Sequence, residues 1–169
     1  MTTDNKNLRA VLHTIPPVFD ENSRILILGS FPSVKSREAE FFYGHKQNRF
    51  WKVLALLLNE NIPETTDEKK QFLLQNKIAL WDVVKSCTIS GSSDSSIKSV
   101  VPNDIKPILQ TADISQIFTN GCTADRLYNK HIFPIVGLNE IKLPSTSPAN
   151  AAYSLDRLLS EWNVILKYL

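Results

Sequence analysis

A continuous apolar run that ends in glycine, Arg24–Gly29 (RILILG), is the feature that most constrains the fold of this chain. A short apolar run without alternation is typical of a strand buried on both faces, as in a parallel sheet covered by helices. Further strands are predicted at Lys77–Val84, Ile114–Thr119 and Leu138–Leu143. The sequence therefore predicts an α/β fold with a central, mainly parallel, four-stranded sheet.

Segments with the apolar spacing of helices separate and follow these strands. They predict helices over Gln47–Asn59, Asn103–Thr111 and Thr123–Lys130, a short helix capped by Thr66, and a last helix bearing an apolar stripe from Leu155 to Leu166. Ser147, which precedes Pro148, is interpreted as the N-cap of that last helix. Ser86–Ser96 is rich in Ser and is predicted to be a loop. Alternating strands and helices predict a three-layer α/β/α sandwich.

The length of 169 residues predicts a single domain spanning 1–169, with enough chain to bury a core. No run of about 18 apolar residues occurs, so no membrane span is expected. The polar N-terminal residues do not resemble a signal peptide, and the predicted location is cytoplasmic. Two cysteines and three scattered histidines provide no metal-ligand spacing. We therefore expect no metal and no cofactor.

Two polar loops follow predicted strands. The first is Gly29–Ser33 (GSFPS), with the polar and aromatic stretch YGHKQNRFW after it at 43–51. The second, LPSTSPAN at 143–150, follows the fourth strand. Because ligands of open α/β sheets bind beyond the carboxyl ends of the strands, these two loops predict a binding crevice.

The first loop combines several chemical capabilities. Gly29 allows a ligand to approach the backbone closely, and Pro32 stiffens the following turn. Tyr43 offers a flat face for stacking on a ring. Asn48 carries a donor and an acceptor on one amide, so it can orient water or bind a leaving group but cannot act as a strong base. An N-cap is the alternative reading of Asn48.

Charge is distributed unevenly along the chain. The net charge of +2 does not demand a nucleic acid as partner. A cluster of cations nevertheless surrounds the first loop, namely Lys35, Arg37, Lys46, Arg49 and Lys52. Such a patch can bind phosphates, although a solvated surface is the simpler alternative. His45 is a further candidate for a phosphate contact or a proton donor.

Two other groups are expected near the crevice. Ser145, Thr146 and Ser147 resemble a turn that grips phosphate, with simple helix capping as the alternative. Asp82 ends the second strand, so its carboxylate is expected to face the same crevice, unless it caps a turn. The sequence contains no phosphate loop of the Gly-Lys-Ser/Thr type, no Gly-x-Gly-x-x-Gly and no Gly-x-Ser-x-Gly. Nucleotide hydrolysis, hydride transfer and serine-hydrolase chemistry are therefore disfavoured.

Taken together, these motifs resemble the uracil-DNA glycosylase superfamily. Gly29–Ser33 lies where that superfamily has its first motif, and Leu143–Ala149 lies where it has its second. The Asn-Arg-Phe-Trp stretch that begins at Asn48 is similar to that of the mismatch-specific branch. Phe31 replaces the usual catalytic Asp or Asn, and Leu143 replaces the His or Asn that opens the second motif. This combination resembles the hypoxanthine-DNA glycosylase branch.

The resemblance implies a monofunctional glycosylase of base-excision repair that hydrolyses the N-glycosidic bond of a flipped deaminated base, with hypoxanthine the preferred prediction. It implies that Asn48 is catalytic. The implied base pocket comprises Gly29, Ser30, Phe31, Pro32, Tyr43 and Asp82. The implied DNA-binding residues are Ser33, Lys35, His45, Lys46, Arg49, Ser145, Thr146 and Ser147. Asp82 stands where uracil-specific relatives carry an Asn that reads the base edge.

The expected partner is double-stranded DNA that contains a damaged base, bound by a monomer. Lys46 replaces the proline that usually precedes the catalytic Asn by two residues. Three alternatives stay open at this point. They are a uracil or thymine mismatch glycosylase, a nucleic-acid-binding module without catalysis, and an enzyme that acts on a free nucleoside or nucleotide.

Overall fold

The computed structural model describes residues 9–89 and 97–169. The strands are β1 Arg9–Leu12, β2 Ile25–Gly29, β3 Ile78–Asp82, β4 Val84–Ile89, β5 Lys98–Pro102, β6 Gln116–Asn120 and β7 Glu140–Leu143. The helices are α1 Val34–Ala39, α2 Phe50–Leu58, α3 Thr66–Gln75, α4 Lys106–Thr111, α5 Cys122–His131, α6 Phe133–Val136 and α7 Leu155–Trp162, and a 3₁₀-helix covers Asn163–Tyr168.

Four strands form the central sheet in the order β3-β2-β6-β7, and every neighbouring pair is parallel. All five residues of β2 are buried. Alternate β2 side chains face opposite layers: Ile25 and Ile27 pack with α2, α3 and α7, whereas Leu26 and Leu28 pack with α4, α5 and β4. The predicted α/β/α sandwich with a four-stranded parallel sheet is confirmed.

A second, antiparallel sheet in the order β1-β4-β5 was not predicted. The prediction of a loop over Ser86–Ser96 is wrong for its first residues, because Ser86 to Ile89 belong to β4 and pair with β1. The rest of that predicted loop, 90–96, lies outside the described residues. The strand forms despite its polar composition because Val84, Cys87 and Ile89 are buried in the core, whereas its three polar residues are not fully buried.

Several helix ends differ from their predictions. The last helix begins after Ser154, whose hydroxyl accepts from the Arg157 N–H, so Ser147 is not its N-cap. The N-cap of α3 is Thr65, in a capping box with Glu68, rather than Thr66. Helix α1 was not predicted. Within the described residues no helix is long and apolar enough to span a membrane.

Candidate active site

A cavity of about 690 Å³ opens at the carboxyl ends of the parallel strands, where the two polar loops meet. It is lined by Gly29, Ser30, Phe31, Pro32, Ser33, Ser36, Phe42, Tyr43, His45, Asn48, Asp82, Asn120, Thr123, Ser145, Thr146, Ser147, Pro148 and Ala149. The loops come together because β2 and β7 both flank β6. The carboxyl ends of these two strands, more than a hundred residues apart in sequence, therefore lie at one edge of the sheet.

Two hydrogen bonds to the side-chain oxygen of Asn48 fix this side chain in place. Oδ1 accepts from the Phe50 N–H at 2.9 Å and from the Thr146 hydroxyl at 2.9 Å. The first of these bonds explains why α2 begins at Phe50 rather than at the predicted Gln47. Two donors at Oδ1 fix the orientation of the amide. No acceptor for the Nδ2 group is found in the described part of the chain, so Asn48 presents a donor at the cavity.

Thr146 and Asn120 support Asn48 from behind. The Thr146 hydroxyl accepts from Asn120 Nδ2 at 3.0 Å, and Asn120 Oδ1 accepts from the Thr146 N–H at 3.1 Å. The Thr146 hydroxyl therefore gives its own hydrogen to Asn48. Thr146 is fully buried, although the sequence predicted a DNA contact for it. Its side chain lies inside this network.

Asp82 lies at the end of β3, as predicted, and is buried. Its Oδ2 lies 2.8 Å from His13 Nε2. Its Oδ1 lies over Gly29, because a methyl group added to Gly29 would be 2.3 Å from Oδ1 and 2.9 Å from the Tyr43 hydroxyl oxygen. Any side chain at position 29 would displace Asp82. The glycine that ends β2 is therefore required for this carboxylate to reach the cavity.

Aromatic rings form part of the cavity wall. Tyr43 has a positive φ of 52° and stacks on Phe50, with ring centroids 4.0 Å apart and planes inclined by 21°. Phe31 is nearly buried, and the Arg37 guanidinium lies over its ring at 5.7 Å. Phe31 therefore contributes an apolar wall where the superfamily motif would place a polar group. Pro32 and Ser30 are also buried and line the cavity beside it.

Apart from Thr146, which also lines the cavity, the predicted DNA-binding residues fall into three groups. Ser33, His45, Ser145 and Ser147 line the cavity. Lys35 and Lys46 are exposed and do not line it, and Lys35 lies 3.3 Å from Glu38. The Arg49 guanidinium donates to the carbonyl oxygens of Ser147, Asn150 and Tyr153. Arg49 thus holds the second loop together from inside the protein.

Sequence reasoning missed two residues that hold the polar side chains of the site, Asn120 and His13. It also missed five residues that line the cavity: Ser36, Phe42, Thr123, Pro148 and Ala149. Asn120 is the last residue of β6, and the rule that selected Asp82, a polar residue at the carboxyl end of a parallel strand, applies to it equally. His13 carries no such signal. It lies between β1 and β2, and only the fold brings it to Asp82, 69 residues away.

The chain is similar to known proteins over most of its length. Residues 16–167 match the family model of the uracil DNA glycosylase superfamily. This chain belongs to that superfamily. A protein of Methanosarcina acetivorans named hypoxanthine DNA glycosylase is 36% identical over 155 residues, which cover 90% of this chain and 96% of that protein.

Two further comparisons agree with this result. A hypoxanthine DNA glycosylase of Methanosarcina barkeri is 36% identical over 108 residues, covering 63% of this chain and 68% of that protein. An NMR structure from Methanosarcina acetivorans, described as a candidate uracil DNA glycosylase, superposes with a TM-score of 0.78 at 35% identity and covers 90% of this chain and 94% of that one. The superfamily resemblance and the prediction of a DNA glycosylase are confirmed.

Proposed function

We propose that this superfamily member is a monofunctional DNA glycosylase that releases hypoxanthine from deoxyinosine in duplex DNA during base-excision repair, and that it acts as a monomer. The observation that carries the proposal is the pairing, in one cavity, of a neutral amide donor at Asn48 with a buried carboxylate at Asp82. The names of the two Methanosarcina relatives support the choice of hypoxanthine.

The target nucleotide must leave the helix before its base can enter the cavity. In the proposal, the base packs against the Tyr43 ring, whose orientation is supported by stacking on Phe50. Hypoxanthine presents N1–H as a donor and O6 as an acceptor. Asp82 Oδ1 accepts from N1–H, while O6 points away from the carboxylate, because two oxygens bearing negative charge repel each other.

The reaction breaks the bond between C1′ and the base nitrogen. The bonding electron pair leaves with hypoxanthine and the sugar acquires oxocarbenium character. Water then adds to C1′ and gives up one proton, which reaches the hypoxanthine anion through the solvent. The phosphates of the DNA stabilise the positive charge on the sugar. Asn48 Nδ2 donates to a ring nitrogen of the departing base, where negative charge develops. Catalysis therefore comes from positioning and electrostatics, since an amide cannot take a proton from water.

The second loop and the surface near it hold the DNA in this proposal. Ser33, His45, Ser145 and Ser147 contact the flipped nucleotide or its phosphates from the cavity, and Lys35 and Lys46 attract the backbone electrostatically. Thr146 and Arg49 act indirectly: Thr146 orients Asn48 and Arg49 fixes the loop. No lysine lines the cavity in the part of the chain that the structure describes, which supports a monofunctional mechanism rather than a Schiff base.

The test is a panel of duplex oligonucleotides, each with one deoxyinosine, deoxyuridine, deoxyxanthosine or G·T mismatch. We expect release of free base chiefly from deoxyinosine, leaving an abasic site and no borohydride-trapped adduct. Preferential action on deoxyuridine or G·T would support the mismatch-glycosylase alternative. Binding without any release would support a module that has lost catalysis, and cleavage of free inosine alone would support a nucleosidase.

A further inference from the structure

The buried His13 is not used by the reaction described above, although it touches the base-reading carboxylate. The His13 side chain is 1% exposed and that of Asp82 is 6% exposed, and the atoms His13 Nε2 and Asp82 Oδ2 are 2.8 Å apart. Among the described residues, the only side chain that forms a hydrogen bond with His13 is that of Asp82, which faces the ligand cavity.

The hydrogen-bond partners of His13 determine its tautomer. Nδ1 accepts from the Ile15 N–H at 3.2 Å, so Nδ1 carries no hydrogen. Nε2 must then carry the hydrogen and donate it to Asp82 Oδ2. One oxygen of the carboxylate is thus occupied. The other oxygen, Oδ1, lies over Gly29, and both Gly29 and Asp82 line the cavity.

The imidazole is fixed in place from several sides. The rings of Phe31, Phe42 and Trp81 surround it, with centroids 6.0 to 6.3 Å away. The backbone is anchored as well, because the His13 N–H donates to the Lys85 carbonyl oxygen at 2.7 Å. The Nε2–H donor therefore has one available direction, toward Asp82.

We propose that His13 is a positioning residue for base selection: it occupies Oδ2 of Asp82 so that Oδ1 is held as a pure acceptor for a purine that carries hydrogen on N1. This inference rests on the proposed function. A purine with a bare N1, such as adenine, would direct a lone pair at the carboxylate and be rejected. The buried pair therefore separates hypoxanthine from the adenine that it derives from.

Two substitutions of His13 each keep one of its two side-chain hydrogen bonds and remove the other. In His13→Gln, the side-chain amide can still donate from the position of Nε2 to Asp82, but the acceptor for the Ile15 N–H is lost. In His13→Asn, the side-chain oxygen can still accept from Ile15 at the position of Nδ1, but the donor to Asp82 is lost. A merely structural histidine predicts no systematic difference in base choice between the two variants.

The readout is base discrimination under single-turnover conditions with saturating enzyme. Duplexes carry either deoxyinosine or purine 2′-deoxyriboside, whose base lacks both N1–H and O6. The ratio of the two excision rates is compared between proteins, so the different intrinsic labilities of the two bonds cancel. Thermal unfolding of each variant shows whether it is folded at the assay temperature.

We expect His13→Asn to lower the deoxyinosine preference by about tenfold or more, the loss typical of a hydrogen bond to a charged group, while His13→Gln keeps most of it. Equal ratios in folded His13→Asn and wild-type protein would overturn the inference and leave the proposed function standing. If either variant does not fold, Asp82→Asn in the wild-type background supplies the same readout, and an unchanged ratio there overturns the inference. No excision of deoxyinosine by the wild-type protein would instead contradict the proposed function itself.

Discussion

Asn48 and Asp82 face the same cavity, and each has one polar atom held by the protein and one left for the ligand. At Asn48 the carbonyl oxygen is held by Phe50 and Thr146, which leaves the Nδ2 donor. At Asp82 one oxygen is held by His13, which leaves an acceptor. The first group is a neutral donor and the second is a carboxylate acceptor.

In the proposed function, the difference between the two groups gives them different tasks. A donor favours a base that gains negative charge as it departs, whichever base that is. A buried carboxylate favours a base edge that carries hydrogen and repels one that does not. Asn48 should therefore affect the rate for every substrate, and Asp82 should affect which substrate is chosen.

The largest effect is expected for Asn48→Ala. Removing one preorganised donor at the site of developing charge typically costs about 10²- to 10³-fold in rate, so excision should fall by that amount while duplex binding persists. Asn48→Asp is the matched control, because it keeps an acceptor for Phe50 and Thr146 but loses the donor. Single-turnover rates should be low in both variants. A near-normal rate in the aspartate variant would show that the donor is dispensable.

Asp82→Asn should produce the next largest effect. His13 would take the new side-chain oxygen, so an NH₂ group would face the N1–H of hypoxanthine. The lost hydrogen bond to a charged group predicts a fall of about 10- to 100-fold for deoxyinosine. Excision of purine 2′-deoxyriboside, whose base has no N1–H, should not fall with it. An unchanged ratio of the two excision rates would remove Asp82 from base recognition.

Thr146→Val tests how much of the Asn48 effect depends on orientation. The valine is similar in shape but leaves Asn48 Oδ1 with one donor and Asn120 Nδ2 without an acceptor. We expect excision about tenfold slower and a loss of roughly 1–3 kcal/mol in the free energy of unfolding. Thr146→Ser retains the hydroxyl, so its excision rate and its free energy of unfolding should stay close to those of the wild-type protein. Equal rates for valine and serine would show that Asn48 needs no support from Thr146.

The smallest effect on catalysis is expected for Arg49→Lys. The charge remains, but a single ammonium cannot bond the three carbonyl oxygens that the guanidinium holds. Amide hydrogen exchange over 147–153 should accelerate, while the salt dependence of DNA binding stays the same. A salt slope reduced by about one unit with normal exchange would instead identify Arg49 as a phosphate contact.

Much of the fold followed from periodicity in the sequence. The four parallel strands were recognisable because Ile25–Gly29 and its partners are short apolar runs between helical patterns. The sheet β1-β4-β5 was not, since β4 is polar in composition and its pairing with Arg9–Leu12 joins distant segments. A strand can be recognised from its own residues only where enough of them are buried to make the segment visibly apolar.

The site was predictable where a residue projects directly from a strand end, as Asp82 does. It was not predictable where a side chain acts through another. Thr146 looked like a phosphate contact because a hydroxyl beside a turn has the same local sequence in either role. The contacts of His13 with Asp82 and of Asn120 with Thr146 join segments that are distant in sequence, so they are seen only in the folded structure.

Four excision rates can separate a role of Asn48 in the reaction from a role of Asp82 in base choice. Single-turnover excision is measured for Asn48→Ala and Asp82→Asn, each on duplexes with deoxyinosine or purine 2′-deoxyriboside, relative to wild-type protein. We expect Asn48→Ala to slow both substrates by the same factor, within about threefold, and Asp82→Asn to slow deoxyinosine alone. Equal slowing of both substrates by Asp82→Asn, or a selective effect of Asn48→Ala, would contradict this division of roles.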